Sequence, residues 1–243
     1  MATLWQMSQI YTYSGQNWMI INNTETIAII GGAEFGPDVA ESVLPKVAQV
    51  IAADGGADRA LENGFSPDYV IGDLDSISDA AKAVVSPEHL IFVDDQDNTD
   101  FEKVLDRVDA PIIIGLGFLG GRIDHQMAVQ TALVQFAHKK IILIGAHDVV
   151  FLCPPRLSIG LALGTRVSLY PMATVQVAST GLNWPTDGLT LSPDGRIGTS
   201  NHALGPVTLE PDAARCLVIL PRAMFETAMT ALSQAPHWPV HAK

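Results

Sequence analysis

Runs of apolar residues alternate with amphipathic segments along the first part of the chain. The runs recur at intervals of about 20 to 30 residues, which is the βα spacing of a parallel sheet. The six predicted strands are residues 27–30, 50–53, 69–71, 90–93, 112–114 and 141–144. Helices are predicted near residues 38–44, 57–63 and 79–85, from the capping-box pattern at Thr99, and from Asp124. This alternation predicts a doubly wound, mostly parallel α/β domain.

The pattern changes after Cys153. Short runs are separated there by Gly, Pro, Asn and Asp turns without intervening helices, which is typical of a β-sandwich or small barrel. The strands predicted in this half are residues 165–170, 174–178, 189–191, 207–210 and 216–220, followed by a helix near 224–233. We therefore predict an α/β domain over residues 24–153 and a β-rich domain over residues 154–243. Residues 1–23 have no clear period and are predicted to form an N-terminal arm.

Composition and charge narrow the class of protein. Apolar residues make up 48% of the chain and charged residues 16%, a globular composition. The net charge of −12 argues against a nucleic-acid or anionic-membrane partner, since both need clustered basic residues. No apolar run approaches the roughly 20 residues that cross a bilayer, so a soluble, cytoplasmic protein is expected. Cys153 and Cys216 lie in apolar stretches and are predicted to be buried, reduced thiols.

Acidic residues follow several of the predicted strands. Asp73 and Asp75 come directly after residues 69–71, two positions apart, so they leave the strand on the same side. A second acidic segment ends in Asp100, and a glycine pair precedes Arg122 and Asp124. Because the carboxyl ends of parallel strands share one edge, these groups are expected to meet there. Carboxylates with an Arg beside glycine turns suit a Mg²⁺-chelated polyphosphate, which predicts nucleotide-dependent phosphoryl or pyrophosphoryl transfer.

Each of these residues also has a structural interpretation. Asp73 and Asp75 can cap a helix or shape a turn. Asp100, in the first turn of a Thr-capped helix, would stabilise that helix by about 0.3–1 kcal/mol without any function. Lys103 can contact a phosphate or pair with a carboxylate one turn away. Asp124 lies in an N-cap region, where acids are common for structural reasons.

A set of short motifs follows in a fixed order along the chain: DGGA at 54–57, PD at 67–68, GDLDS at 72–76, the segment 95–103, GGRIDH at 120–125, GLNWP at 181–185 and TSN at 199–201. The order and spacing of these motifs resemble those of thiamin pyrophosphokinases. The resemblance covers roughly residues 26–220. It implies an ATP-dependent transfer of a pyrophosphoryl group to the hydroxyethyl oxygen of thiamin, giving thiamin diphosphate and AMP. It also implies a homodimer whose active sites form between subunits.

The resemblance further implies roles for individual residues. The Mg²⁺ ligands would be Asp73, Asp75 and Asp100, with Gln96 beside them. ATP or its phosphates would contact Asp54, Lys103, Arg122 and Asp124, and Ser76 and Thr99 belong to the same ATP-binding motifs. Thiamin would lie near Trp184, Ser200 and Asn201. The loop 115–121 departs from the commoner sequence of the family because Phe118 and Leu119 make it bulkier.

Two other functions remain open at the level of sequence. One is a pyrophosphokinase that acts on a hydroxymethyl pterin with a related catalytic half. The other is a non-catalytic ATP-binding sensor, which the density of charged ligands disfavours because a sensor needs affinity without a complete metal cluster. For Trp184, a core or turn aromatic is as good an interpretation as contact with a substrate.

Overall fold

The computed structural model describes residues 9–13 and 16–240. The chain divides into two units, residues 1–122 and 123–243. Residues 123–153 lie in the C-terminal unit. In this segment, strand Asp148–Leu152 pairs with strand Cys216–Pro221 of the β-rich half, and strand Ile141–Ile144 pairs with Asp148–Leu152. The predicted domain boundary between residues 153 and 154, which follows the change of sequence pattern, stays a prediction.

Within its described residues, the N-terminal unit contains the predicted strands and helices in their predicted order, together with three further strands, Gln9–Tyr13, Gln16–Asn22 and Val108–Asp109. Its strands are β1 Gln9–Tyr13, β2 Gln16–Asn22, β3 Ile27–Ile30, β4 Gln49–Ala53, β5 Tyr69–Gly72, β6 Leu90–Phe92, β7 Val108–Asp109 and β8 Ile113–Leu116. Its helices are α1 Pro37–Val43, α2 Gly56–Glu62, α3 Asp79–Val84 and α4 Asp100–Leu105. Short 3₁₀ turns occupy Leu44–Lys46 and Pro87–His89.

Five of these strands form a parallel sheet in the order β8-β3-β4-β5-β6. The chain moves outward from β3 to β6 and then returns to the other side of β3 with β8. The strand order therefore reverses between β3 and β8, which is the topological switch point of a doubly wound sheet. This arrangement confirms the predicted α/β fold.

Apolar packing fixes the helices that follow β4 and β5. Ala52 and Val70 are neighbours across the sheet and share a buried cluster with Ala57 of α2 and Ala81 of α3. Because side chains alternate along a strand, Gly72 lies on the same face as Val70. The loops at the carboxyl ends of β4 and β5 are thus held by the packing of the helices that they precede.

The described part of the predicted N-terminal arm forms a hairpin. Strands β1 and β2 pair antiparallel, and β2 continues the pairing in parallel with β7. These three strands make a separate small sheet. The sequence predicted neither this hairpin nor β7, and the remainder of the arm lies outside the described residues.

The C-terminal unit opens and closes with a helix and is otherwise built of strands. The helices are α5 Ile123–Gln135 and α6 Phe225–Gln234, with a 3₁₀ turn at Arg222–Met224. The strands are β9 Ile141–Ile144, β10 Asp148–Leu152, β11 Leu157–Ile159, β12 Arg166–Pro171, β13 Val175–Leu182, β14 Thr190–Leu191, β15 Gly198–Pro211 and β16 Cys216–Pro221.

Strand β15 connects two groups of antiparallel strands in this unit. Its first part pairs with β12, and its second part pairs with β11 and β13. Strand β16 joins β12 to β10, which in turn pairs with β9. These pairings confirm the predicted β-rich half and extend it by β10, β11 and the first part of β15.

Cys153 and Cys216 are free, buried thiols, as predicted. Cys153 directly follows β10 and Cys216 begins β16, and the Cys153 N–H donates to the Cys216 carbonyl at 2.8 Å. Burial raises the pKa of Cys216 to about 12 and raises that of Cys153 well above its usual value. Both thiols therefore stay protonated at neutral pH. Within the described part of the chain, no helix is long and apolar enough to cross a membrane.

Candidate active site

The ends of β4 and β5 meet at the carboxyl edge of the parallel sheet. The Asp54 N–H donates to the Ile71 carbonyl at 3.0 Å. A Cβ at Gly72 would lie 2.8 Å from the Asp54 Cβ, which is closer than real side chains approach. Only glycine allows this contact, so Gly72 lets Asp54 approach the loop that carries Asp73 and Asp75.

Two non-glycine residues in this corner have left-handed backbone conformations. Asp54 has φ 41° and Leu74 has φ 58°. Aspartate tolerates this region better than leucine, for which it is strained. The Leu74 side chain packs against the buried cluster of α2 and α3, and this packing offsets the strain. The turn between Asp73 and Asp75 is thus fixed by the core beneath it.

Three carboxylates converge at this point. Among the described residues, Asp54, Asp73 and Asp75 each offer an oxygen within 4.8 Å of the other two. Asp54 is only 3% exposed. Among the buried side-chain N and O atoms of residues 9–13 and 16–240, Asp54 Oδ1 is the one without a hydrogen-bond partner. Burial raises the pKa of Asp54, the Ser76 hydroxyl opposes that effect, and the charges of Asp100 and Asp73 add to it.

The chemistry of these ligands fits a hard divalent cation. Mg²⁺ takes oxygen ligands and is usually held by one or two carboxylates, with water and phosphate oxygens completing its coordination. A cation would satisfy the buried Asp54 Oδ1 and would neutralise the mutual repulsion of the three carboxylates. The sequence assigned Asp54 to ATP contact and missed its place in the cluster. Its position immediately before a glycine pair at a strand end was the available signal.

Lys103 is a buried counter-ion of the cluster. Its side chain is 4% exposed, and Nζ lies 2.9 Å from Asp100 Oδ1 and 3.5 Å from Asp73 Oδ2. Burial lowers the pKa of Lys103, but Asp100 and Asp73 outweigh burial, so the net shift is upward. Burial likewise opposes the shift at Asp73, where the Asp75 N–H and the Lys103 charge bring the pKa down. The lysine is therefore charged and engaged with both carboxylates.

Asp100 and Thr99 have the structural roles that helix capping predicts. Thr99 caps α4: its hydroxyl accepts the Glu102 N–H at 3.4 Å, and Glu102 Oε2 accepts the Thr99 N–H at 2.8 Å. Asp100 occupies the first turn of this helix and hydrogen-bonds Lys103. Asp100 lies outside the group of three carboxylates, so its assignment as a metal ligand stays a prediction. Gln96 is exposed on the preceding loop.

Ser76 extends the carboxylate corner. Its hydroxyl donates to Asp75 Oδ1 at 2.8 Å, and both residues are exposed. The predicted contact between Ser76 and ATP is untested by this arrangement. The hydroxyl nevertheless lies beside two of the three clustered carboxylates, since it also influences Asp54.

The bulky residue of the loop 115–121 is directed into the core. Phe118 is buried, and its ring centroid lies 4.3 Å from that of Phe101 in α4. Gly117 has φ +71°, and a Cβ there would meet the Gly31 carbonyl at 2.4 Å, so the loop closes tightly against the end of β3. The bulk of Phe118 therefore fills the protein interior, and only half-buried Leu119 adds bulk near the surface.

Arg122 and Asp124 flank the start of α5. Arg122 follows Gly120 and Gly121, which have φ of +99° and +69°. Asp124 lies in the first turn of α5, and both charged residues are exposed. The glycine turn before a helix start agrees with the pattern read from the sequence, while the predicted phosphate contacts of Arg122 and Asp124 stay predictions.

A second candidate binding surface lies in the C-terminal unit. Asn201 Oδ1 accepts the Trp184 N–H at 3.1 Å and the His202 N–H at 2.9 Å, and Asn201 Nδ2 donates to the Trp184 carbonyl at 2.7 Å. Asn201 is 6% exposed, whereas Trp184 is 58% exposed. The buried amide thus holds the backbone of Trp184 while the indole faces outward.

Ser200 and His202 complete this surface. Ser200 has φ 63°, and its N–H donates to the Ser168 hydroxyl at 3.0 Å. The His202 ring contacts the Trp184 indole edge to face, with centroids 5.0 Å apart. The structure therefore brings together the three residues predicted on the thiamin side, Trp184, Ser200 and Asn201. His202 was missed, and its position directly after Asn201 was the only signal.

The fold and the two surfaces define a class of protein: an α/β unit with a three-carboxylate site, followed by a β-rich unit that presents an exposed aromatic residue. Comparison with known families agrees. Residues 40–144 match the family described as thiamin pyrophosphokinase, catalytic domain. Residues 156–214 match the thiamin pyrophosphokinase, vitamin B1 binding domain.

Individual relatives support the same family. A thiamine pyrophosphokinase of Oryza sativa subsp. japonica is 31% identical over 185 residues, which span 62% of this chain and 70% of the rice protein. A thiamin pyrophosphokinase of Caenorhabditis elegans is 28% identical over 186 residues, spanning 67% and 74%. The chain belongs to the thiamin pyrophosphokinase family.

Solved structures show the same fold. The thiamin pyrophosphokinase of Candida albicans aligns with a TM-score of 0.70 at 18% identity, covering 88% of this chain and 96% of that one. The Bacillus subtilis thiamine pyrophosphokinase aligns with a TM-score of 0.67 at 23% identity, covering 81% and 99%. None of these comparisons supports the hydroxymethyl pterin or sensor alternative.

Proposed function

We propose that this protein transfers a pyrophosphoryl group from ATP to thiamin, giving thiamin diphosphate and AMP. The hydroxyethyl oxygen of thiamin attacks the β-phosphorus, and the bond from that phosphorus to the oxygen bridging it to the α-phosphorus breaks. AMP leaves, and the proton of the hydroxyl group is released. Membership of the thiamin pyrophosphokinase family supports this reaction.

The observation that carries the proposal is the carboxylate cluster. Asp54, Asp73 and Asp75 would hold Mg²⁺, because their oxygens converge and the buried Asp54 Oδ1 needs a positive partner. A bound Mg²⁺ supplies charge neutralisation for the polyphosphate. Asp100 is proposed as a further ligand on the family resemblance alone.

Residues around the cluster stabilise its charged groups. Lys103 keeps Asp73 ionised by its ion pair, so this carboxylate is ready to accept a cation at neutral pH. On the resemblance, Lys103, Arg122 and Asp124 are proposed to contact ATP or its phosphates, as are Ser76 and Thr99, and Gln96 is proposed to lie beside the Mg²⁺ ligands. Phosphoryl chemistry depends mainly on such positioning and charge neutralisation, so no single general base is required.

Thiamin is proposed to contact the exposed indole of Trp184. An aromatic face attracts a cationic ring such as thiazolium by about 0.5–2 kcal/mol. Asn201 already holds the backbone of Trp184, so the main chain needs no rearrangement for this contact. Ser200, beside Asn201, is proposed to lie near the same substrate.

The assembly and domain roles follow the same proposal. We assign nucleotide and metal binding to residues 24–153 and thiamin binding to residues 154–243. A homodimer with shared active sites is expected from the family resemblance, and a cytoplasmic location stays a prediction. Sedimentation of the purified chain measures the dimer directly, and a monomer at micromolar concentration would contradict it.

Product analysis tests the reaction. The purified protein is incubated with ATP, Mg²⁺ and either thiamin or a hydroxymethyl pterin, and the products are separated by chromatography. We expect AMP and thiamin diphosphate in equal amounts. AMP formed only with the pterin would overturn the choice of acceptor, and ATP binding without turnover on either acceptor would overturn the enzyme assignment.

A further inference from the structure

A single carboxylate outside the cluster binds the loop that carries two of the clustered residues. Asp58 Oδ2 accepts the Ser78 N–H at 2.9 Å, and Asp58 Oδ1 accepts the Ser78 hydroxyl hydrogen. Ser78 is also the N-cap of α3, where its oxygen accepts the Ala81 N–H at 3.1 Å. Asp58 therefore tethers the start of α3 to α2 by two hydrogen bonds.

The tether links the loop that carries Asp73 and Asp75 to the helix that follows Asp54. The loop 73–78 leaves β5 at Asp73 and ends at Ser78. Asp58 lies in the first turn of α2, the helix that starts immediately after Asp54 and Gly55. The two hydrogen bonds thus connect the far end of the loop to the helix beside the third carboxylate.

Packing holds the loop on both sides of Ser78, and the tether holds Ser78 itself. Leu74 and Ile77 pack in the same buried cluster as Ala57, and so does Ala81 in the first turn of α3. Ser78 is exposed between them, so its own position depends on the hydrogen bonds to Asp58. Hydrogen bonds from a neighbouring group that orient metal ligands commonly change metal affinity 10–100-fold when removed.

We propose that Asp58 is a positioning residue: through Ser78 it sets the conformation of the loop 73–78 and thereby the geometry of the cation site. This inference rests on the proposed metal-dependent function. Asp58 does not contact the cation. Its effect is carried by the position of Asp73 and Asp75.

The variants distinguish the effect of the Asp58 hydrogen bonds from the effect of the Asp58 charge. Asp58→Ala removes both acceptors, and we expect cation affinity to fall about tenfold, the lower end of the range for groups that hydrogen-bond a metal ligand itself, because Asp58 acts through Ser78. Asp58→Asn retains both contacts, because its carbonyl can accept the Ser78 N–H and its amide can donate to the Ser78 oxygen. We expect this variant to bind the cation within about twofold of wild type. Asp79→Ala is the matched control, since Asp79 is an exposed acid adjacent to Ser78.

The experiment measures Mn²⁺ binding by electron paramagnetic resonance, using the full chain without nucleotide or thiamin. Amide hydrogen exchange at Ser78 is followed in the same samples, and thermal unfolding verifies that each variant is folded. Ser78→Ala provides a second variant, which loses the hydroxyl contact and is expected to weaken binding about threefold.

The proposal predicts weakened Mn²⁺ binding and faster Ser78 exchange in Asp58→Ala, with Asp58→Asn and Asp79→Ala close to wild type. Wild-type affinity in both Asp58→Ala and Ser78→Ala would overturn it. Equal weakening in Asp58→Ala and Asp58→Asn would also overturn it, because charge rather than hydrogen bonding would then be responsible. Failure of the wild-type protein to bind Mn²⁺ would overturn the metal site itself, which is a separate result from failure of the tether.

Discussion

The carboxylate cluster and the Trp184 surface are built on opposite principles. In the cluster, Asp54 is buried with an oxygen that lacks a hydrogen-bond partner. At the other surface, the buried side chain is Asn201, and both ends of its amide are hydrogen-bonded. The first region keeps a buried oxygen without a protein partner, whereas the second satisfies its buried amide and leaves an aromatic side chain exposed.

The two regions nevertheless share one backbone feature. The left-handed non-glycine residues of the described chain are Asp54 and Leu74 beside the cluster and Ser200 beside Trp184. Such conformations persist where the surrounding structure fixes them, and they concentrate at functional sites. We infer that charge together with backbone strain belongs to the proposed reacting centre, and that strain with satisfied neutral hydrogen bonds belongs to the proposed thiamin surface.

The largest expected effect comes from removing charge at the cluster. Asp73→Asn or Asp75→Asn should lower turnover by about 10²-fold or more, because each removes charge that fixes the cation against the reacting phosphates. Steady-state assays at saturating Mg²⁺ measure the effect. Asp79→Asn makes the same chemical change at an exposed acid and should leave turnover near wild type. Near-normal turnover in both cluster variants would refute the metal assignment.

Replacing Asn201, the buried amide at the Trp184 surface, should lower the stability of the protein. Asn201→Ala leaves the Trp184 carbonyl and two N–H groups without their partner, so we expect a loss of about 2–3 kcal/mol in the free energy of unfolding. Denaturant unfolding measures this loss. Thiamin binding should weaken along with stability, because the Trp184 backbone loses its support. An unchanged unfolding midpoint would show that the amide does not frame this surface.

Removing the exposed aromatic should have a smaller and more selective effect. Trp184→Ala keeps the backbone groups that Asn201 binds, and the indole is already 58% exposed, so unfolding should change little. Thiamin affinity should fall by about 0.5–2 kcal/mol, with ATP affinity unchanged. Isothermal titration with each ligand measures the difference, and Trp184→Phe should restore part of it. Equal loss of both affinities with a lower melting temperature would indicate a structural residue instead.

The smallest expected effect is a change in the pH dependence of stability. Burial raises the pKa of Asp54 above the ordinary value of 3.8, so the folded chain holds a proton there more readily than the unfolded chain. The stability of the cation-free protein should therefore fall as pH rises from 3.8 through the raised pKa. The pKa values of Asp73 and Asp95 are lowered, so these two groups make stability depend on pH below 3.8, where stability falls as the pH falls.

Asp54→Asn should abolish this loss of stability. In the presence of a chelator at neutral pH, we expect the variant to melt about 2–4 °C above wild type, equivalent to about 1 kcal/mol. Asparagine also tolerates the left-handed backbone of this position. Melting curves from pH 4 to 8 provide the measurement, with added Mg²⁺ as the control that should remove the advantage. Parallel curves for the two proteins would contradict the account of Asp54.

The sequence predicted the elements that carry a strong periodic signal. The apolar runs of β3 to β6, β8 and β9 were found because each is bounded by turns, and the Thr99 capping box located α4. The first part of β15 was missed because it contains Gly198, Ser200, Asn201 and Gly205, which give no alternating pattern. Strand β7 has two residues and is defined only by its partner β2.

The candidate site was predicted as a set of residues but not as a geometry. The sequence located Asp73 and Asp75 because they lie two positions apart at a strand end, whereas Asp54 joins them only through the close approach at Gly72. The i, i+3 spacing of Asp100 and Lys103 allowed an ion pair, yet the second contact, to Asp73, depends on the packing of α4. Local sequence patterns do not predict such long-range contacts, so they could be found only in the structure.

The most direct test of the central claim follows the β-phosphate of ATP. Wild-type protein is given ATP labelled at the β-phosphate, Mg²⁺ and thiamin, and the labelled products are separated after a single turnover. Pyrophosphoryl transfer predicts that the label appears in thiamin diphosphate and that the AMP formed is unlabelled. The Asp73→Asn variant should form the same labelled product at least about 10²-fold more slowly. Label recovered in ADP would contradict the account, because the γ-phosphate alone would then have been transferred.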